Sequence, residues 1–298
     1  MTAIVPTTTV CPRCATEPVA GDCFCEVCGA DLAARRADAA DHVEIILEGA
    51  AAVGDRGHVR ARNEDAVALG RTKGAGAPDR VAAVVCDGVS STRSSQLAAR
   101  AAADAALEVL LAARGGEQQT RSAVGAAAAA AGALVPRGTP ASPSCTLVCG
   151  VHDTGVLTVG WVGDSRAYWL AEPGAVEPAR LLSADHTAEA AAAAGTLDPA
   201  VAALRPDAIT RWLGADGDAE PDVAAFTPAG PGALLLCTDG LWKYLPDAAA
   251  LAAVALPALD LGGPRAAASA LVAAALTAGG GDNVTVAVVP VPPRQEEP

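Results

Sequence analysis

The sequence predicts an α+β fold in one large domain, preceded by a small N-terminal zinc ribbon. Short apolar runs that end in Asp-Gly are typical of buried strands, and two of them occur, at 81–88 and 233–240. Alanine-rich segments at about 96–113 and 120–134 are typical of helices. Two Cys-x-x-Cys pairs near the N-terminus indicate a separate metal-bound module.

The zinc ribbon is predicted over residues 1–30 from the spacing of four cysteines. Cys11 and Cys14 form one pair, and Cys25 and Cys28 form the other. Each tight turn presents two thiolates, and two such turns close a tetrahedral site that holds an otherwise small segment. We therefore expect one structural zinc ion. Cys23 could replace Cys25 as a ligand, and reduced cysteines in a disordered arm are the alternative.

The charge balance excludes several classes of function. The 298 residues carry 21 Lys and Arg against 34 Asp and Glu, a net charge of -13. Nucleic acids and anionic membranes bind through clustered Lys and Arg, so neither is expected as a partner.

The N-terminus has no signal-peptide pattern, which predicts a cytoplasmic protein with reduced cysteines. Cys86, Cys145, Cys149 and Cys237 lie in apolar runs, and core packing is expected for them.

The remaining elements can be placed in chain order. A linker is predicted over 31–42, the main domain over 43–290 and a disordered tail over 291–298. The patterns predict a helix over 96–113, a helix over 120–134, strands over 145–152, 156–162 and 167–170, helices over 247–256 and 264–278, and a last strand over 284–289. A hairpin turn at 153–155 joins two of these strands.

Acidic residues recur at the ends of the predicted strands. The set comprises Asp65, Asp87, Asp164, Asp239 and Asp282. No group of histidines accompanies them, and an oxygen-only set favours magnesium or manganese over zinc. Two such ions about 3.5 to 4 Å apart can share a water, lower its pKa and place it in line with phosphorus.

Phosphate-ester hydrolysis is the reaction that such a cluster suits. Monoester hydrolysis needs accelerations of up to about 10²¹, whereas a positioned acid or base supplies about 10² to 10⁴. Metal activation, charge stabilisation and positioning must therefore supply most of the effect. Arg60 could bind the phosphoryl oxygens as a planar pair of donors.

Two other pairs of residues suggest nucleophilic or general-base chemistry. Ser165 follows Asp164, but no Gly-x-Ser-x-Gly motif surrounds it, so a serine nucleophile is not favoured. His186 follows Asp185 and could be a general base. A hydrogen-bonded structural histidine is the favoured interpretation, because a lone histidine after an aspartate usually has that role.

Seven short motifs occur in a fixed order between about Glu48 and Val289. They are Arg60 to Asp65, Asp87-Gly88, Gly163-Asp164-Ser165-Arg166, Asp185-His186-Thr187, Ile209 to Gly214, Thr238-Asp239-Gly240-Leu241-Trp242 and Gly281-Asp282-Asn283-Val284-Thr285. This ordered set resembles the metal-dependent Ser/Thr protein phosphatase family, of the bacterial protein phosphatase 2C-like type. The resemblance implies a four-layer α-β-β-α sandwich of two antiparallel sheets flanked by helices, with a metal pair in a cleft at one end.

The resemblance also implies which residues bind the two manganese or magnesium ions. Asp87 would bridge both ions, and the carbonyl of Gly88 would bind one of them. Asp239 and Asp282 would hold the other ion. Asp65 would lie at the rim as a direct or water-mediated ligand.

The same resemblance implies roles for two more residues, and the sequence departs from the family's pattern at two places. Asp164 is similar to the family's ligand for a third, weaker metal, and Arg60 to its phosphate-binding arginine. Bacterial relatives usually have a glycine-rich turn where this chain has residues 89–91, Val-Ser-Ser. Lys243 stands where an acidic or amide residue often follows the tryptophan.

The predicted function is therefore dephosphorylation of phosphoserine and phosphothreonine in proteins. A monomer that opposes a Ser/Thr kinase, or acts on the targets of that kinase, is expected, with the zinc ribbon as a docking module. The alternative is a weak or inactive phosphatase-like signalling adaptor that docks through the ribbon. The serine-rich loop after Gly88 motivates that alternative, and the intact acidic set opposes it.

Overall fold

The structure is a computed structural model that describes residues 41–292, apart from 75–76, 93, 113–115 and 137–138, together with Thr16 and Val27. The four cysteines of the predicted zinc ribbon, Cys11, Cys14, Cys25 and Cys28, lie outside the described residues. The ribbon and its zinc ion therefore stay predictions.

The described residues form thirteen strands and six helices. The strands are β1 (His42–Leu47), β2 (Ala50–Asp55), β3 (Ala66–Gly74), β4 (Ala77–Cys86), β5 (Ser144–Cys145), β6 (Leu147–Asp153), β7 (Val156–Val162), β8 (Arg166–Leu170), β9 (Arg180–Leu181), β10 (Leu213–Gly214), β11 (Asp222–Phe226), β12 (Gly232–Cys237) and β13 (Val284–Val291). The helices are α1 (Ser95–Ala112), α2 (Gly116–Gly132), α3 (Ala188–Ala193), α4 (Pro199–Ala202), α5 (Asp239–Trp242) and α6 (Ala248–Ala278).

Most of the strands belong to two antiparallel sheets. One sheet has six strands in the order β1-β2-β13-β12-β8-β9, and the other has five in the order β11-β7-β6-β4-β3. Every pairing within them is antiparallel. Strands β5 and β10 form a small separate pair. The predicted pair of antiparallel sheets is confirmed.

Side chains along the central strands point alternately to the two faces of each sheet, and this alternation produces the four layers. In β4, Val81, Ala83 and Val85 pack between the two sheets, whereas the residues between them face helices α1 and α2. In β12, Leu234 and Leu236 pack between the sheets, and the opposite face packs against α5 and α6. Both faces of these strands are therefore buried, which explains their continuous apolar sequences.

The element bounds differ from the predicted ones in a few places. Strand β7 has its predicted bounds, and α2 begins at Gly116, four residues before its predicted start. Strand β13 continues to Val291, past its predicted end at 289, because Val291 is buried between the sheets and pairs with Gly232. The first residue of the predicted tail is thus part of the last strand.

Helix α6 joins the two helices predicted over 247–256 and 264–278. Gly262 and Gly263 depart from helical φ and ψ angles, so the axis breaks between the two halves. By length and composition, α6 is the one helix in the described part of the chain that could cross a membrane. Residues of both halves, including Leu251 and Leu271, pack against the six-stranded sheet. Nine residues of α6 are buried in this core.

Candidate metal centre

The acidic residues lie where strands of the two sheets begin or end at one side of the sandwich. Asp87 directly follows β4, and Asp65 directly precedes β3. These strands pair antiparallel with Ala66 opposite Cys86, so the end of one meets the start of the other. The same relation joins the end of β12 to the start of β13 and places Asp239 near Asp282.

A side-chain hydrogen bond of Thr238 connects these two strand pairs across the sandwich. Thr238, at the end of β12, donates from Oγ1 to Asp65 Oδ2 over 3.0 Å. The same hydroxyl oxygen accepts a hydrogen bond from the Thr285 amide at 3.0 Å. Thr238 therefore holds the Asp65 carboxylate toward the start of α5.

The backbone around Asp87 is fixed from both sides. Its amide donates to Thr146 Oγ1 at 3.1 Å, and its carbonyl accepts from the Thr146 amide at 2.8 Å. At Gly88, an added Cβ would lie 2.6 Å from the Glu64 carbonyl oxygen and 3.0 Å from Ser95 Cβ. Only glycine fits this contact, which brings the Asp87 turn against the loop that carries Asp65.

Asn283 fixes the loop that contains Arg60 against the start of β13. The residue is 5% exposed. Its Oδ1 accepts from the Glu64 amide at 2.8 Å, and its Nδ2 donates to the carbonyls of Arg56 and Arg62 at 2.8 and 2.9 Å. The sequence motif contained Asn283, but only the structure reveals this positioning role.

Arg60 lies at the edge of the acidic cluster. Its Nη2 donates to Asp282 Oδ2 over 2.6 Å, and its Nη1 donates to Ser90 Oγ over 2.9 Å. The bond to Asp282 raises the pKa of Arg60, so its charge is retained. Ser90 belongs to the unusual loop after Gly88, and here it orients the arginine.

Asp239 starts the short helix α5 in a tightly packed position. An added Cβ on Gly240 would lie 1.9 Å from the Asn283 carbonyl oxygen, so glycine is required there. One helical turn later, the Lys243 ammonium contacts Asp239 Oδ2. The backbone after Asp239 is therefore packed against Asn283, and the Asp239 carboxylate contacts a basic side chain.

A stacked pair of side chains supports the backbone of Asp164. Trp242 Nε1 donates to the Asp164 carbonyl at 2.9 Å, and the Arg166 guanidinium lies 3.7 Å from the centre of the Trp242 ring. Arg166 also makes a two-pronged ion pair with Asp185 over 2.9 and 2.7 Å. Asp185 thus holds Arg166, and Arg166 stacks on the tryptophan that bonds to the Asp164 carbonyl.

Burial and mutual repulsion raise the pKa values of three acidic residues. Burial raises the pKa of Asp65 to about 7, and the nearby charge of Asp239 adds to this. Burial raises the pKa of Asp164 to about 7, again with a contribution from Asp239. The pKa of Asp87 lies well above its usual range because of burial and then the charges of Asp65 and Asp239. Protons or cations are therefore needed to compensate the negative charge of these carboxylates.

The donor set fits hard divalent cations. Asp65 Oδ1 and Asp239 Oδ1 are buried and accept no hydrogen bond from the described residues. Within that same part of the chain, no three His, Cys, Asp or Glu side chains converge closely enough to hold a metal ion by themselves. Magnesium usually keeps several waters and takes only one or two carboxylates, so such an arrangement suits it.

Neither Ser165 nor His186 has the surroundings of a catalytic nucleophile or base. Ser165 is 1% exposed, and its hydroxyl is hydrogen-bonded to Thr146 Oγ1 at 2.7 Å. His186 Nδ1 accepts from the Gly163 amide at 3.1 Å, so the neutral ring carries its proton on Nε2, 2.9 Å from Asp222 Oδ2. These bonds confirm the structural role favoured for His186.

Comparisons with known proteins find a family and several similar structures. A family model described as "Protein phosphatase 2C" matches residues 56–276. The Mycobacterium tuberculosis serine/threonine phosphatase PstP/Ppp is 28% identical, with 80% of this chain and 96% of that chain covered and a TM-score of 0.61. The catalytic domain of PstP in complex with two manganese ions is also 28% identical, with 81% and 97% covered and a TM-score of 0.61.

A third similar structure is the PPM Ser-Thr phosphatase MsPP from Mycobacterium smegmatis, in complex with cacodylate. It is 26% identical, with 82% of this chain and 99% of that chain covered and a TM-score of 0.60. The comparison with curated proteins finds no match.

Proposed function

The chain belongs to the protein phosphatase 2C family, and from this premise we propose that it is a metal-dependent enzyme that hydrolyses phosphoserine and phosphothreonine in proteins. One observation carries the proposal: strand ends from both sheets bring Asp65, Asp87 and Asp239 together, and one buried carboxylate oxygen each of Asp65 and Asp239 accepts no hydrogen bond from the described residues. One of the similar phosphatases is described with two manganese ions.

The proposed ligands follow from the motifs and their positions in the fold. Two manganese or magnesium ions would be held by Asp65, Asp87, the carbonyl of Gly88, Asp239 and Asp282, with Asp164 available to a third, weaker ion. When bound, such ions stabilise charge on the phosphoryl group and lower the pKa of the attacking water. The protein contributes the placement of these ligands, because Thr146, Thr238 and Asn283 hold the surrounding backbone and carboxylates.

Arg60 is the proposed phosphate-binding residue. Its guanidinium has five N–H donors, and the bonds to Ser90 and Asp282 use two of them. The side chain is 36% exposed at the edge of the cluster, so the other donors can reach a phosphoryl group that enters from solvent. A planar guanidinium matches two phosphoryl oxygens at once.

The inactive-adaptor alternative depended on the unusual loop after Gly88. In the structure, the Val89 amide donates to the Ser144 carbonyl at 2.9 Å, and Thr92 bonds back to the Val89 carbonyl. Ser90 accepts a hydrogen bond from Arg60. The loop is thus an ordered part of the site and orients a proposed phosphate-binding group, which favours the enzyme over the adaptor.

The remaining parts of the proposal concern the whole chain. We propose a zinc ribbon over residues 1–30 that docks a partner, a linker over 31–42 and a catalytic domain over 43–290; the spacing of the four cysteines supports the ribbon. A cognate Ser/Thr kinase, or the proteins it phosphorylates, would be the partner. The net charge of -13 supports a partner other than nucleic acid or membrane. The cytoplasmic location and the monomeric state stay predictions.

Phosphatase assays on a phosphothreonine peptide with manganese test the function. We expect Asp87→Ala and Asp239→Ala to reduce the rate at least a hundredfold while circular dichroism shows a retained fold. Asp260→Ala, at an exposed position of α6, is the matched control and should keep the wild-type rate. An unchanged rate in both cluster variants would refute the proposed enzyme.

Metal analysis tests the proposed zinc ribbon separately. The full-length chain should hold one zinc ion, and the double variant Cys11→Ser and Cys14→Ser should lose it. Manganese-dependent activity should be retained in that variant. Loss of the activity together with the zinc would contradict the assignment of the two metals to separate parts of the chain.

A further inference from the structure

Lys243 places a positive charge inside the acidic cluster. It follows α5 and lies four residues after Asp239, a spacing that puts two helical side chains on the same face. Its ammonium contacts Asp239 Oδ2, and its charge also acts on the carboxylates of Asp164 and Asp282. No other part of the proposed mechanism uses this lysine.

The turn that carries Lys243 is fixed on two sides. Gly240 packs against the Asn283 carbonyl with no space for a Cβ. Trp242, the residue before the lysine, donates its indole N–H to the Asp164 carbonyl. The side chain of Lys243 is 46% exposed, but its backbone is held between Asp164 and the start of β13. It therefore differs from a surface lysine on a free helix.

The two oxygens of Asp239 have different surroundings. Oδ2 contacts the Lys243 ammonium, whereas Oδ1 is buried and accepts no hydrogen bond from the described residues. A cation that takes both oxygens shares Oδ2 with the lysine or displaces it. A cation that takes Oδ1 alone binds a carboxylate whose charge the ammonium already compensates in part.

We propose that Lys243 is an internal counter-ion that weakens the binding of divalent cations at Asp239 and Asp164. The inference rests on the metal-dependent function proposed above and deepens it. Arg60 is the comparable cation on Asp282, but it is also the proposed phosphate-binding residue. Lys243 is therefore the residue whose charge can be removed without removing a proposed substrate contact.

Coulomb's law sets the size of the expected effect. A unit positive charge about 6 Å from a divalent ion weakens its binding by about tenfold at the dielectric constant of water. Because Lys243 is partly exposed, added salt should screen much of this effect. Removal of the charge should therefore strengthen manganese binding most clearly at low ionic strength.

Calorimetric titration of manganese into the metal-stripped full-length chain tests the proposal. The variants are Lys243→Gln, which removes the charge, and Lys243→Arg, which keeps it. We expect Lys243→Gln to bind its weakest manganese ion about tenfold more tightly than wild type, and Lys243→Arg to match wild type. The difference should shrink in about 0.5 M salt.

Each contrary result has a distinct meaning. Equal or weaker manganese binding by Lys243→Gln, in a chain whose wild type binds manganese, would overturn the role of Lys243 alone. The role of Lys243 is also overturned if Lys243→Arg binds manganese more tightly than wild type, because loss of the charge would then not be the cause of the tighter binding. If the wild-type chain binds no manganese, both this inference and the metal-dependent function are overturned.

Discussion

Replacement of Asp164 by asparagine should stabilise the metal-free protein at alkaline pH. Asp164 is 7% exposed, and burial raises its pKa to about 7, with the charges of Asp239 and Asp185 adding to this. Its ionised form is therefore destabilised in the folded chain, whereas the unfolded chain ionises it freely. Asparagine has the same shape and no charge, so Asp164→Asn should remove this penalty.

The sign and size of the effect follow from the two pKa values. The folded value of about 7 is above the ordinary value of 3.8, so the folded chain binds this proton more tightly than the unfolded chain. Stability is then lost as pH rises between about 4 and 7. The difference between these two pKa values corresponds to a loss of about 4 kcal/mol in unfolding free energy once the pH exceeds 7. At pH 5 the loss should be only about 1.5 kcal/mol.

Urea unfolding at pH 5, 6.5 and 8, in the presence of a chelator, measures this difference. Asp164→Asn should exceed wild type in unfolding free energy by about 4 kcal/mol at pH 8 and by clearly less at pH 5. Asp260→Asn, on the exposed side of α6, is the control and should not differ from wild type with pH. A gain of equal size at every pH, or a variant less stable at pH 8, would refute the reasoning.

Three further predictions concern the residues that hold the site together. Asn283→Ala should lower the unfolding free energy by about 3 kcal/mol in urea titrations, because three side-chain hydrogen bonds are lost at a buried position; equal stability would contradict this. Gly240→Ala should lower the melting temperature strongly, since its Cβ would overlap the Asn283 carbonyl, whereas Gly125→Ala, with open space in α2, should leave it equal or slightly raised. Ser90→Ala should raise KM for a phosphopeptide a fewfold in steady-state kinetics, with Ser90→Thr restoring it, because Arg60 loses one of its two anchors; an unchanged KM would count against this role.

Several central strands of the fold could be predicted, because strands that are buried on both faces have continuously apolar sequences. The apolar runs before Asp87 and Asp239 are β4 and β12, and both are buried on two faces. The start of α2 differs from the predicted one because Gly116 is a weak helix former that nevertheless begins the helix, ahead of the good helix formers at 117–119. The gap between the helices predicted over 247–256 and 264–278 contains the break at Gly262 and Gly263, but the first half of α6 continues past its predicted end, through Pro257.

The acidic residues of the site could also be predicted, whereas their supports could not. An aspartate at the end of an apolar run can be found from local sequence alone. The contacts of Thr238 with Asp65, and of Trp242 with Asp164, join residues that are 173 and 78 positions apart. No local pattern encodes such pairs. The ordered motifs contain all of these residues, but only the fold assigns each support to its carboxylate.

The supports share a property that explains how the site can accept cations. Thr146, Trp242 and Asn283 hold the backbone around the acidic residues or the loop beside them, and not the carboxylate oxygens that are proposed to bind metal. Thr238 uses one oxygen of Asp65 and leaves the other without a partner among the described residues. Neutral groups therefore fix the geometry, and the cations that contact carboxylates of the cluster are Arg60, at Asp282, and Lys243, at Asp239. An aspartate network held by arginines at every position would be more stable without metal, but it would bind cations weakly. Lys243 introduces this opposition at Asp239 and Asp164, as Arg60 does at Asp282.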